Sequence, residues 1–135
     1  AFIRLGLSPD GGGTFLLPRL LGYARACELA MMPDEIDAQK ACDWGLVNWV
    51  VTPDEFETRL DEITGKLANG PAGALGQVKR LLNSGLLASL EEHLEEERLA
   101  QVANAQTDDF AEGLHAFVER RSPRFTGVRL DSPED

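Results

Sequence analysis

Residues 5–22 read LGLSPDGGGTFLLPRLLG: one acid, then three glycines, then an apolar run of helical character. Glycine admits positive φ and close approach to the backbone, at an entropic cost. Three in succession therefore mark either a sharp turn or a place where something must come near. Ser8-Pro9-Asp10-Gly11 carries a strong turn signature, with Pro9 presetting φ and Asp10 tolerating the geometry that follows. Asp10 is then either a turn former or a carboxylate lining a pocket at the mouth of a helix. Residue types alone favour the turn.

Before the turn, AFIRLGL alternates and reads as a strand or its end. After it, Thr14 is the expected N-cap of FLLPRLL, a helix that Pro18 limits to about two turns. YARACELAMM is a second helix, stopped by Pro33. AQKACDWG is a compact third, with Asp37 as N-cap and Gly45 as terminator. LVNWVVT, rich in β-branched and aromatic residues, reads as a strand or extended segment. From Pro53 the pattern is helical: PDEFETRLDEITGKLANG, AGALGQVKRLLNSG, SLEEHLEEERLAQVANAQ and DDFAEGLHAFVERRS. Ser89 and Glu92 fit a capping box. The chain is thus expected to be mainly α, with one or two short extended segments near its start.

The 135 residues suit about one domain, and the 43% hydrophobic content is ordinary for a globular protein. A net charge of −10 argues against nucleic acid or an anionic membrane surface as partner. Charge is uneven, however: RLLGYAR and VERRSPRFTGVR are locally basic and can seat an anionic small molecule. Cys27 and Cys42 have neither metal-ligand nor redox spacing, so reduced thiols in a cytoplasmic setting are expected. There is no long uninterrupted apolar run and no basic-then-apolar leader. The opening at Ala1 rather than Met reads like the interior of a longer protein.

Most chemistry-bearing patterns are missing. His93 and His115 lack a second ligand one helical turn away, so no metal is expected. The serines lack a G-x-S-x-G setting, and the three glycines lack the Lys-Ser/Thr of a phosphate loop. EEHLEEER stacks like charges one turn apart, which suits a solvated face and not paired-carboxylate catalysis. Asp10 is what remains.

Three segments together alter the weight given to it. LGLSPDGGGTFLLPRLLGYARACELAMM, AQKACDWGLVNWVV and the terminal FVERRSPRFTG resemble the crotonase superfamily of enoyl-CoA hydratases and isomerases, over about residues 1–127. The likeness covers the C-terminal half of a typical member and is strongest to the branch that isomerises ring 1,2-epoxyphenylacetyl-CoA. It implies the C-terminal helical part of the crotonase ββα spiral. Residues 1–52 would close the core and carry the Pro-Asp-Gly turn, 53–127 would form a trimerisation and CoA-covering region, and 128–135 a tail.

The resemblance also implies roles. Asp10 matches the aspartate of the isomerase branches that faces the acyl chain. Pro9, Gly11, Gly12 and Leu17 would line the substrate, with Phe15 and Leu16 beside them excluding water. Arg120 matches a basic residue that reaches the CoA phosphates; a bare C-terminal charge complementing the helix dipole is the alternative. Ala105 stands where some relatives place an aromatic against adenine. Phe2 occupies the slot of a hydratase glutamate, which disfavours water activation. Glu28 lies in the wrong helix to be the family's catalytic glutamate.

The implied function is an acyl-CoA isomerase working through an enolate, with no cofactor beyond the CoA of its substrate. Homotrimers or dimers of trimers are implied, with oxyanion-hole donors from segments preceding residue 1. An enoyl-CoA hydratase and a non-catalytic helical oligomerisation module are the alternatives.

Overall fold

The computed structural model describes residues 2–32 and 34–127. The tail assigned to 128–135 and the stop at Pro33 lie outside the described residues. The chain divides into two compact units, one running to Phe56 and one from Glu57.

In the first unit a 3-10 helix, Phe2–Leu5, precedes α1 (Gly13–Leu21), α2 (Tyr23–Met31) and α3 (Ala38–Asp43). The strand expected over residues 1–7 is therefore a correction. A strand is held by a neighbour's hydrogen bonds, and none is available among the described residues. The backbone closes locally instead, Gly6 N–H donating to Ile3 C=O at 3.1 Å and Leu7 N–H to Phe2 C=O at 3.0 Å. The strand reading of LVNWVVT fails for the same reason. Its first residues fold back on α3, Leu46 N–H donating to Ala41 C=O at 2.9 Å, and residues 49–52 have no regular structure.

Thr14 is not the N-cap of α1. Gly12, left-handed at φ 83°, takes that place, because the glycine turn runs directly into the helix. Pro18 sits inside α1, which continues three residues past it to Leu21. Proline removes one donor, the one that would reach Thr14 C=O, and the helix tolerates that loss. Gly22 then separates α1 from α2, and the two helices pack on one another. Asp37 caps α3 as expected, accepting from Lys40 N–H at 2.7 Å. Gly45 closes that helix at φ 81°, with Gly45 N–H bonded to Cys42 C=O and Leu46 N–H to Ala41 C=O. This pair of bonds is the Schellman turn, in which the left-handed position normally takes glycine.

α4 (Pro53–Ala68) spans the boundary between the units. In the second unit α5 (Ala72–Ser84), α6 (Leu90–Ala105) and α7 (Asp108–Glu119) follow, α6 packing on both α5 and α7. The capping box at Ser89 forms: Glu92 N–H donates to Ser89 Oγ at 3.3 Å, and Ser89 N–H to Glu92 Oε2 at 3.2 Å. The Ser89 hydroxyl, then its backbone N–H, hold the Glu92 carboxyl below its ordinary pKa. Ser89→Ala is expected to cost about 1 kcal/mol, read as a lower urea midpoint with unchanged slope.

What is buried is small. Leu21, Ala26 and Ala41 are covered in the first unit, Ala100 and Ala116 in the second. Alanines at these places let helices approach closely, but they bury little area. Large apolar side chains stay open, among them Leu5, Leu87, Phe117 and Val118.

Candidate active site

In the first unit, Gly13 N–H donates to Asp10 C=O at 3.0 Å and closes a tight turn. Gly11 (φ 59°) and Gly12 (φ 83°) fill its two central positions, both left-handed and both costly to any side chain. Gly12 C=O then accepts from Phe15 and Leu16 N–H, so the turn feeds α1 without an intervening residue. Asp10 is exposed, and its carboxylate has no hydrogen-bond or ion-pair partner among the described residues. Pro9 and Leu17 are half-buried; Gly11 and Gly12 are open. The turn reading of Asp10 is therefore correct for its backbone and leaves its carboxylate uncommitted. Phe2 is 41% exposed, in the 3-10 helix. Glu28 pairs with Lys40 at 3.5 Å, bridging α2 and α3.

Arg120 lies in the second unit, at the C-terminal end of α7. It is the one non-glycine with positive φ among the described residues, at φ 56° and ψ 39°. Arg120 N–H reaches Phe117 C=O at 3.2 Å and Arg121 N–H reaches Ala116 C=O at 3.0 Å. This is again a Schellman turn, built on arginine where α3 uses Gly45. Arg120 is exposed, and among the described residues its guanidinium has no partner. Arg121, its neighbour, is fully engaged: Nη1 and Nη2 grip the Glu112 carboxylate at 2.6 and 2.9 Å, and Nε reaches Glu119 at 2.6 Å.

Glu112 and Asp109, one turn apart on α7, were not singled out from the sequence. Glu112 also accepts from Arg124 N–H at 2.7 Å. Asp109, 8% exposed, accepts from Thr126 N–H at 2.7 Å and Thr126 Oγ1 at 3.1 Å. Together they strap residues 121–126 back along α7, with Phe125 lying against Gly113. The acid pair at i and i+3 is visible in DDFAEG, but its partners lie 9 to 17 residues away, and spacing does not announce them.

The Arg121 side chain, then the Arg124 backbone N–H, lower the Glu112 pKa to about 2 from the usual carboxylate range. A depressed pKa contributes stability that is fully present above the unfolded value and is lost as pH falls through the folded one. The stability difference between the native chain and Glu112→Gln should therefore be constant above about pH 5 and shrink toward pH 2. Paired denaturation curves across that range test it.

Elsewhere in the second unit, Ser84 Oγ donates to Glu96 Oε2 at 2.6 Å, tying α5 to α6. His93 is flanked by Glu96 at 3.9 Å and Glu97 at 3.6 Å. His115 lies on α7. A groove of about 420 Å³ runs beside α5, α6 and α7, walled by Pro71, Val78, Phe110, Leu114 and Phe125. Among the described residues no three His, Cys, Asp or Glu gather as metal ligands, and no helix is long and apolar enough to cross a membrane.

Comparison with known proteins gives this geometry its setting. The enoyl-CoA hydratase/isomerase family matches over residues 1–128. The 1,2-epoxyphenylacetyl-CoA isomerase of Escherichia coli (strain K12) is 39% identical over 127 residues, covering 94% of this chain and 48% of that protein. A protein of Rhodobacter capsulatus described as "Probable enoyl-CoA hydratase" is 42% identical over 128 residues, covering 94% and 49%. The crystal structure of an enoyl-CoA hydratase from Bacillus anthracis superposes with a TM-score of 0.87 at 36% identity, over 93% of this chain and 49% of the other. The chain thus spans about half the length of the curated relatives it matches, and its helices are the C-terminal helical part of the crotonase fold. It belongs to the enoyl-CoA hydratase/isomerase family.

Proposed function

We propose that this chain carries the catalytic carboxylate and part of the CoA-binding surface of an acyl-CoA isomerase. The observation that carries the reading is the state of Asp10. Its carboxylate has no partner among the described residues, and it stands on a turn whose two central residues are left-handed glycines; the family resemblance puts Phe2 where hydratases place a second acid. One base suffices for a 1,3-proton shift; hydration needs a positioned water as well.

The reaction runs through an enolate. Asp10 takes a proton from the carbon next to the thioester of a 3-enoyl-CoA, and the electron pair delocalises onto the carbonyl oxygen. The resulting carboxylic acid returns that proton to the fourth carbon, giving the conjugated 2-enoyl-CoA and restoring Asp10. Backbone donors polarising the thioester are expected from segments preceding residue 1. Pro9, Gly11, Gly12 and Leu17 lie along the acyl group, and Leu17 with its neighbours Phe15 and Leu16 keeps water from the enolate. Arg120 offers its charge to the CoA phosphates. No cofactor is required beyond the CoA of the substrate.

The finer assignments follow the same reading: a ring 1,2-epoxide or a fatty enoyl group as substrate, trimers or dimers of trimers, and a cytoplasmic setting. The open apolar faces support assembly. The test supplies a 3-enoyl-CoA and a 2-enoyl-CoA separately to the intact protein. Conjugated 2-enoyl-CoA from the first, with no 3-hydroxyacyl-CoA from the second, is the expected result. Rapid hydration would overturn the isomerase reading in favour of the hydratase.

A further inference from the structure

We infer that Glu112, with Asp109, is a positioning residue that holds Arg120 in its left-handed conformation and so aims its guanidinium for an anionic ligand. This rests on the reading of Arg120 as a CoA-phosphate contact. Two of the Schellman turns among the described residues carry the argument. α3 closes on Gly45, which takes positive φ at no steric cost; α7 closes on Arg120, which does not. A bulky residue persists in such a conformation only where its surroundings over-determine it.

The surroundings here are on the page. Immediately after Arg120, Arg121 is clamped to Glu112 by two hydrogen bonds, Arg124 N–H reaches the same carboxylate, and Thr126 is held twice by Asp109. Five hydrogen bonds to Glu112 and Asp109 on α7 fix the exit direction of the chain, and Arg120 is the joint between helix and strap. Both arginines are exposed, but the clamp engages the Arg121 guanidinium and leaves that of Arg120 without a partner among the described residues, so the strained residue is the one whose side chain the clamp does not use.

Two readouts on the intact protein separate this proposal from the reading beneath it. Hydrogen exchange of residues 121–127, followed by mass spectrometry, reports the strap. CoA affinity by calorimetry reports the contact. Glu112→Gln keeps the shape of the side chain and should speed exchange in the strap while weakening CoA binding roughly tenfold. Arg120→Gly keeps the left-handed turn and removes only the guanidinium; it should weaken CoA binding by a similar factor with exchange unchanged. In the double variant the losses should not add, because Glu112 acts through Arg120.

Additive losses would make Glu112 a separate structural contributor and overturn the proposal. Unchanged CoA affinity in Glu112→Gln, with Arg120→Gly impaired, would overturn it too. Unchanged affinity in Arg120→Gly, or no CoA binding by the unsubstituted protein, would instead remove the reading of Arg120 and the positioning role with it.

Discussion

Asp10→Asn is expected to lower kcat for isomerisation of a 3-enoyl-CoA by roughly 10²- to 10⁴-fold, the usual range for loss of a positioned general acid–base group. The substitution is nearly isosteric, and no side-chain partner of Asp10 among the described residues is broken by it. The turn is closed by the backbone C=O of Asp10, which asparagine also supplies, and asparagine tolerates such turns equally well. Stability should therefore hold while turnover collapses, and KM for the acyl-CoA should move little. Parallel thermal melts and steady-state kinetics check both halves. A variant retaining more than a tenth of native kcat would exclude Asp10 as the proton carrier and return it to the role of a turn former.

The second large effect is on stability. Asp109→Ala removes the acceptor for two donors of Thr126, its backbone N–H and its hydroxyl, at a site where Asp109 itself is only 8% exposed. Hydrogen bonds to a charged acceptor are worth about 1.5–3 kcal/mol, and the carboxylate also sits in the first turn of α7, where the helix dipole favours an anion. A loss of about 2–3 kcal/mol is expected, seen as a lower urea midpoint and as rapid exchange at Thr126. Asp109→Asn keeps an acceptor oxygen and should lose less than half as much. Equal losses in the two variants would show that charge, not the hydrogen bonds, holds the strap.

Much of the architecture was legible in the residues. The helices from Pro53 onward, the Asp37 cap, the Ser89–Glu92 box and the Gly45 stop rest on local rules: apolar spacing at helical period, a side-chain oxygen reaching N–H groups two or three residues on, a glycine able to turn left-handed. Such features need no distant partner, so a single sequence states them. The two strand readings failed at the point where local rules end. AFIRLGL and LVNWVVT have strand composition, yet a strand exists only beside another, and the described residues offer none. Thr14 failed for a different reason: three consecutive glycines let the turn enter α1 early, at Gly12.

The site divides along the same line. The turn around Asp10 and the charge at Arg120 could be read from residue types and from family resemblance, because both are short, contiguous motifs. That among the described residues the Asp10 carboxylate and the Arg120 guanidinium have no partner while Arg121 is paired, and that Arg120 is strained, are facts of tertiary structure. RR at positions 120 and 121 looks symmetric as letters. Only the return of the strap along α7, which brings Glu112 within 2.6 Å of Arg121 across nine residues, commits one arginine to structure and leaves the other without a partner among the described residues. Sequence fixes which charges exist and which backbone turns are cheap. Which charges neutralise each other depends on the path of the chain between them.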